Sequence, residues 1–139
     1  MYRALTIAIT VLVIVFMAFG IGRMTLNSDG SGKPSRQQLL KEMSRLRPSS
    51  GLAGIRYVDR ISAVYVTAHG PIKGGEVFDV DPPAAGWTFK SKRRYEDGEI
   101  VRYCRGRLTL SIDTNTKAAT ADYGIYWASD RGGSFYCAQ

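Results

Sequence analysis

Residues 87–112 read WTFKSKRRYEDGEIVRYCRGRLTLSI, and this stretch decides the fold. Two β-rich runs, Trp87 to Tyr95 and Glu99 to Ile112, flank Glu96-Asp97-Gly98, a turn signal of the kind that joins antiparallel strands. Side chains alternate between faces along a strand, so Cys104, Leu108, Leu110 and Ile112 fall on one face of the second run, with Cys104 pointing into the core. Opposite that face lie Lys90, Lys92 and Arg94 on the first run and Tyr103, Arg105 and Arg107 on the second.

Working outward, a further strand over Ala119 to Ala128 follows the polar stretch Asp113 to Lys117. Its Ala119, Ala121, Tyr123, Ile125 and Trp127 share the core face, which leaves Asp122 and Tyr126 beside the cations of the hairpin. Ser129 to Ser134 then leads to a short closing strand at Phe135-Tyr136-Cys137. Upstream the pattern is period two from Ile55, with strands expected over Ile61 to Ala68 and, shorter, over Glu76 to Val80. Before these, Ser35 and Gln38 have the spacing of a capping box, and Leu39, Leu40, Met43 and Leu46 line one face of a helix that Pro48 ends. The expected fold is α+β: an N-terminal transmembrane helix, then one amphipathic helix packed on an antiparallel β-meander closed by a disulfide.

The transmembrane expectation rests on Ala4 to Gly22, nineteen positions with no charged side chain, bracketed by Arg3 and Arg23. A helix of that length reaches about 28 Å, close to the roughly 30 Å hydrocarbon thickness of a bilayer. Being apolar all round, it reads as a lipid-facing span over residues 4–22; Ala18-Phe19-Gly20 also offers small residues to signal peptidase, so anchor and cleaved signal both stay open. Asn27 to Pro34 is small, polar and Gly-rich, a linker. The domains expected are therefore 1–24 as anchor or signal, 25–34 as flexible linker and 35–139 as a periplasmic α+β domain.

Charge and sulfur point to opposite sides of the membrane. Arg23, Lys33, Arg36 and Lys41 follow the span, which by the positive-inside rule would hold the domain in the cytosol. Cys104 and Cys137, the two cysteines, are suited to one disulfide closing a loop of about 34 residues, a bond that persists in an oxidising compartment. Following the cysteines, the location read is the bacterial inner membrane, single-pass, with the C-terminal domain in the periplasm, or secretion to the periplasm if the signal is cleaved. A metal site is disfavoured against the disulfide, since one His69 and two distant cysteines supply too few ligands for a closed zinc centre.

The chain carries 19 Lys and Arg against 12 Asp and Glu, a net +7; without Arg3 and Arg23 the remainder is still +5. The face formed by Lys90, Lys92, Arg94, Tyr103, Arg105, Arg107 and Tyr126 is thus basic and tyrosine-bearing, the composition of a protein-interface hot spot for an acidic partner. Anionic lipid headgroups suit the same charge, whereas the compartment and the lack of any nucleic-acid motif argue against nucleic acid. No phosphate loop, zinc-helix signature or other cofactor motif occurs, so no cofactor and no metal are expected. The order of apolar helix, antiparallel sheet and C-terminal cysteine pair resembles the layout of type IV pilins, but residues 4–22 contain no acid and a Gly-Ser linker follows, so no pilin residue is carried over.

The reading these features support is a non-catalytic, membrane-anchored periplasmic binding protein, of the envelope accessory or immunity kind, that recognises a protein through its basic sheet face. The alternative is a small envelope enzyme or enzyme subunit using His69 with nearby carboxylates.

Overall fold

A computed structural model describes residues 32–129 and 134–137. The expected span over residues 4–22 lies outside them, and no helix among the described residues is long and apolar enough to cross a membrane. Everything below belongs to the unit Lys33–Gln139.

Helix α1 spans Arg36–Leu46 and starts as its sequence dictates. The Gln38 amide donates to Ser35 Oγ at 3.2 Å while the Ser35 amide donates to Gln38 Oε1 at 2.7 Å, so two otherwise orphaned N–H groups are satisfied reciprocally. At the other end Arg47 turns left-handed at φ 50 and Pro48 prevents continuation. Leu39, Met43 and Leu46 are fully buried, each stabilising by about 1.5–3 kcal/mol through the apolar area it removes from water.

The sheet has six antiparallel strands: β1 Arg56–Asp59, β2 Ala63–Pro71, β3 Thr88–Tyr95, β4 Gly98–Arg105, β5 Leu108–Asn115 and β6 Thr120–Ala128, in the spatial order β1-β2-β6-β5-β4-β3. Only β3 to β6 form a meander. The β1–β2 hairpin is added against β6, and a connection containing the 3₁₀ turn Pro82–Ala85 carries the chain from β2 across to the far edge. The core sits between α1 and one sheet face, where Val64, Val66, Leu110, Ile112, Tyr123, Ile125 and Trp127 meet the helix residues.

Several expectations change here. The run Glu99 to Ile112 is two strands, because Gly106, at φ 57, opens a two-residue hairpin loop with Arg107. Ala119 does not begin β6; it sits in a left-handed turn at φ 53, and the strand starts at Thr120. The expected strand Glu76 to Val80 does not form. Its backbone serves the end of α1 instead: Asp79 and Val80 amides donate to the carbonyls of Arg47 and Leu46 at 2.9 and 3.1 Å, while Val77 and Phe78 bury their side chains. The closing strand at Phe135-Tyr136-Cys137 is irregular as well, since it lies across a sheet face rather than beside an edge.

The disulfide Cys104–Cys137 is present. Cys104 nevertheless does not point into the helix-side core. It pairs with Thr109, and Thr109 with Tyr126, so all three lie on the face opposite α1. A two-residue loop makes paired residue numbers sum to an odd value, so odd positions of β4 share a face with even positions of β5. A single unbroken strand would have kept them together.

Candidate functional site

The parity change, with a bulge at Lys90 in β3, divides the expected basic face in two. Tyr103 pairs with Leu110, Val101 with Ile112, and Lys92 with Val101, which puts Lys92, Arg94, Tyr103 and Arg105 on the helix side. Lys90 and Tyr126, with Asp122, lie on the open side. Arg107 sits in the β4–β5 loop, its guanidinium 5.0 Å over the Trp127 ring and donating to the carbonyls of Ala128 and Ser129 at 2.9 and 3.1 Å. The seven residues do not form one surface.

Two of them hold the fold together. Arg105 donates to Glu42 Oε2 on α1 at 2.7 Å and to the Ala85 carbonyl at 3.2 Å, tying β4 to the helix and the 3₁₀ turn. Lys90 donates to the carbonyls of Phe135 and, more closely, Tyr136, and burial holds its ammonium below the ordinary lysine range, with the Arg102 charge adding to the effect. Tyr103 packs at the core margin, edge-on to Phe89 at 6.0 Å, and burial pushes its phenol up.

Of the expected basic face, Lys92 and Arg94 on β3 stay exposed, and Arg93 beside them is exposed too. Among the described residues this strand pairs with β4 alone, so its outer edge is unpaired there along eight residues, of which Lys90, Lys92, Arg93 and Arg94 are basic and none is acidic. Lys92 and Arg94 bracket Glu99 on β4 at 2.8 and 3.5 Å, and the Lys92 hydrogen bond first, then Arg94, holds the Glu99 carboxyl below the usual carboxylate range. Arg93, on the open side, has no partner among the described residues.

The open face carries three rows across the strands. His69, Asp122, Asp113, Ile100 and Arg93 form the first. Thr67, Gly124, Ser111 and Arg102 form the second, extended by Arg56 on β1. Tyr65, Tyr126, Thr109 and Cys104 form the third, on which the 134–137 segment is stapled. Phe135 stands edge-on to Tyr126 at 5.1 Å and beneath the Arg102 guanidinium at 4.7 Å. The Cys137 amide donates to the buried Thr109 hydroxyl at 2.9 Å. Burial raises the Tyr126 phenol. Between these rows opens a cavity of about 520 Å³.

His69 Nδ1 lies 2.9 Å from Asp122 Oδ1, and the two side chains are 61% and 74% exposed. Among the described residues no cluster of three or more His, Cys, Asp or Glu is arranged to hold a metal ion. The groove residues Arg56, Arg102 and Asp113 escape the sequence reading because their assembly depends on register; reading Arg105-Gly106-Arg107-Leu108 as a hairpin loop is the signal that would have moved Arg102 to the face of Tyr126. Comparison with protein families, with curated proteins and with solved structures finds no match to this chain.

Proposed function

We propose that this chain is a non-catalytic binding protein, tethered at the bacterial inner membrane through residues 4–22 with its α+β domain in the periplasm, that recognises an acidic protein segment along β3. The observation that carries the reading is the unpaired β3 edge, eight residues long and basic at four of them. An extended segment adding to such an edge gains main-chain hydrogen bonds, and acidic side chains on it would meet Lys92, Arg93 and Arg94. The opposite edge, β1, has four residues and offers far less backbone. The enzyme alternative keeps one supporting contact, His69 with Asp122, in a solvated setting.

The test is photo-crosslinking in cells, with a photoreactive residue placed at position 93 on β3 or at position 41 on the exposed face of α1. Position 93 should give a discrete adduct with an acidic protein, lost when Lys92→Glu and Arg94→Glu are introduced together; position 41 should not. No adduct at 93, or one indifferent to charge reversal, would overturn the reading. Edge lysines and arginines also keep sheets from pairing with one another. If that is their whole role, neutralising them produces self-association and changes no adduct.

A further inference from the structure

The groove on the open face has a charge pattern that the β3 reading does not use. Asp113 and Asp122 are directly opposite each other on β5 and β6, and like charges so placed in a sheet destabilise it. Each aspartate has one hydrogen-bonding neighbour: Tyr95 donates its hydroxyl to Asp113, and His69 contacts Asp122. No cation among the described residues bridges the pair. Across the next row lies Arg102, the diagonal neighbour of Asp113 by register, yet the two make no ion pair. Arg102 stacks on Phe135 instead, and its buried Nε has no hydrogen-bond partner. A buried donor without an acceptor costs about 1–3 kcal/mol, so the Arg102 pole calls for an acceptor, while the facing aspartates form an acidic pole.

The floor between the poles is low. The register sets Gly124 between Thr67 and Ser111, and a Cβ at Gly124 would approach the Val66 carbonyl oxygen to 2.7 Å and Tyr126 Cε2 to 2.9 Å. Glycine keeps a side chain out of the middle of the groove. The cavity of about 520 Å³ falls in the range of small-ligand sites. Its lining has two arginines, Arg56 and Arg102, and two aspartates, so a pure anion would meet the aspartates and a pure cation the arginines. A ligand with one charge of each sign, separated by a short polar body, satisfies both ends.

We propose that this groove binds a short unblocked peptide, its terminal carboxylate on Arg102 and its terminal ammonium between Asp113 and Asp122. Guanidinium and carboxylate match as a planar, two-bond pair, and the ammonium supplies the cation that the opposed aspartates lack. Ser111, beside Arg102 in the register, offers its hydroxyl to the peptide between the poles.

The experiment is a calorimetric titration of the full chain in nanodiscs with trialanine, N-acetyl-trialanine and trialanine amide. Trialanine should bind, and each blocked form should bind at least about tenfold more weakly, the loss expected for one charge-assisted hydrogen bond. Arg102→Gln should erase the difference between trialanine and its amide; Asp113→Asn with Asp122→Asn should erase the difference between trialanine and its acetylated form. A thermal melt of each variant confirms folding, and Arg102→Lys should retain part of the amide discrimination. Equal binding of all three peptides, no binding of any at about 10 mM, or discrimination unaffected by these variants would overturn the proposal. This outcome is independent of crosslinking at β3, so either reading can fail alone.

Discussion

The two faces of the sheet are built from the same strands and closed by different means. On the helix side, α1 lays Leu39, Met43 and Leu46 on Val64, Val66, Leu110 and Ile125, all fully buried. On the other side, among the described residues, the polypeptide returns as the segment around Phe135 to Cys137, fixed by one disulfide, one hydrogen bond to Thr109 and the Lys90 ammonium on two carbonyls. Apolar burial closes the first face dry, and a covalent staple closes the second locally, leaving a polar groove. A domain organised in this way keeps its apolar core in one layer and a polar surface in the other.

Neighbouring residues on β5 probe this contrast most strongly. Leu110→Ala, on the dry side, should lower unfolding free energy by about 2–5 kcal/mol, while Ser111→Ala beside it on the open side should change it by less than about 0.5 kcal/mol. Denaturant titration of both variants measures the difference, and similar losses would erase the distinction between faces. Reduction of Cys104–Cys137 should cost about 3–4 kcal/mol by the loop-entropy argument and release Phe135 from Arg102 and Tyr126. Unfolding curves with and without reductant, read alongside trialanine binding, show whether groove and staple are coupled.

Smaller effects sharpen the margins. Arg105→Ala leaves Glu42 without its contact from β4 and should destabilise by about 1–2 kcal/mol, against under about 0.5 kcal/mol for Arg93→Ala, which loses no hydrogen bond. Equilibrium unfolding of the two arginine variants separates a structural cation from an edge cation. Glu99 contributes less, about 0.2–1 kcal/mol. Because Lys92 depresses its folded-state value, that contribution is present above the ordinary glutamate range and is lost as pH falls through the folded value; Glu99→Gln should flatten this part of the acid limb of stability. The hydroxyl of Tyr95, hydrogen-bonded to Asp113, is pushed up to about 12, so its stabilising effect is complete below the ordinary value of 10.0 and fades as pH rises toward 12. Ultraviolet titration should place Tyr95 among the late-ionising tyrosines, with Tyr103 and Tyr126 raised by burial, and Asp113→Asn should bring the Tyr95 step alone down.

The helix was legible because its signals are local: a capping box, apolar residues three and four apart, and a proline after the last turn. The β3–β4 hairpin was legible for the same reason, since Glu96-Asp97-Gly98 marks its turn. The cysteine pairing could be read because the chain has two cysteines set on strand-like segments, although the face it staples could not. Facial assignment depends on loop length, and one two-residue loop at Gly106 and one bulge at Lys90 were enough to scatter Lys90, Lys92, Arg94, Tyr103, Arg105, Arg107 and Tyr126 over both faces, an edge and a loop. The groove needs more still. His69 meets Asp122 across 53 positions, a pairing that no local pattern encodes.

The proposed location makes a demand on sulfur that can be read in cells. Protein alkylated in the intact cell, then isolated without reductant and weighed, should carry no label on Cys104 or Cys137 and should gain two labels only after reduction. Two labelled thiols in the unreduced sample would contradict a stapled domain outside the cytosol, and with it the closure of the open face.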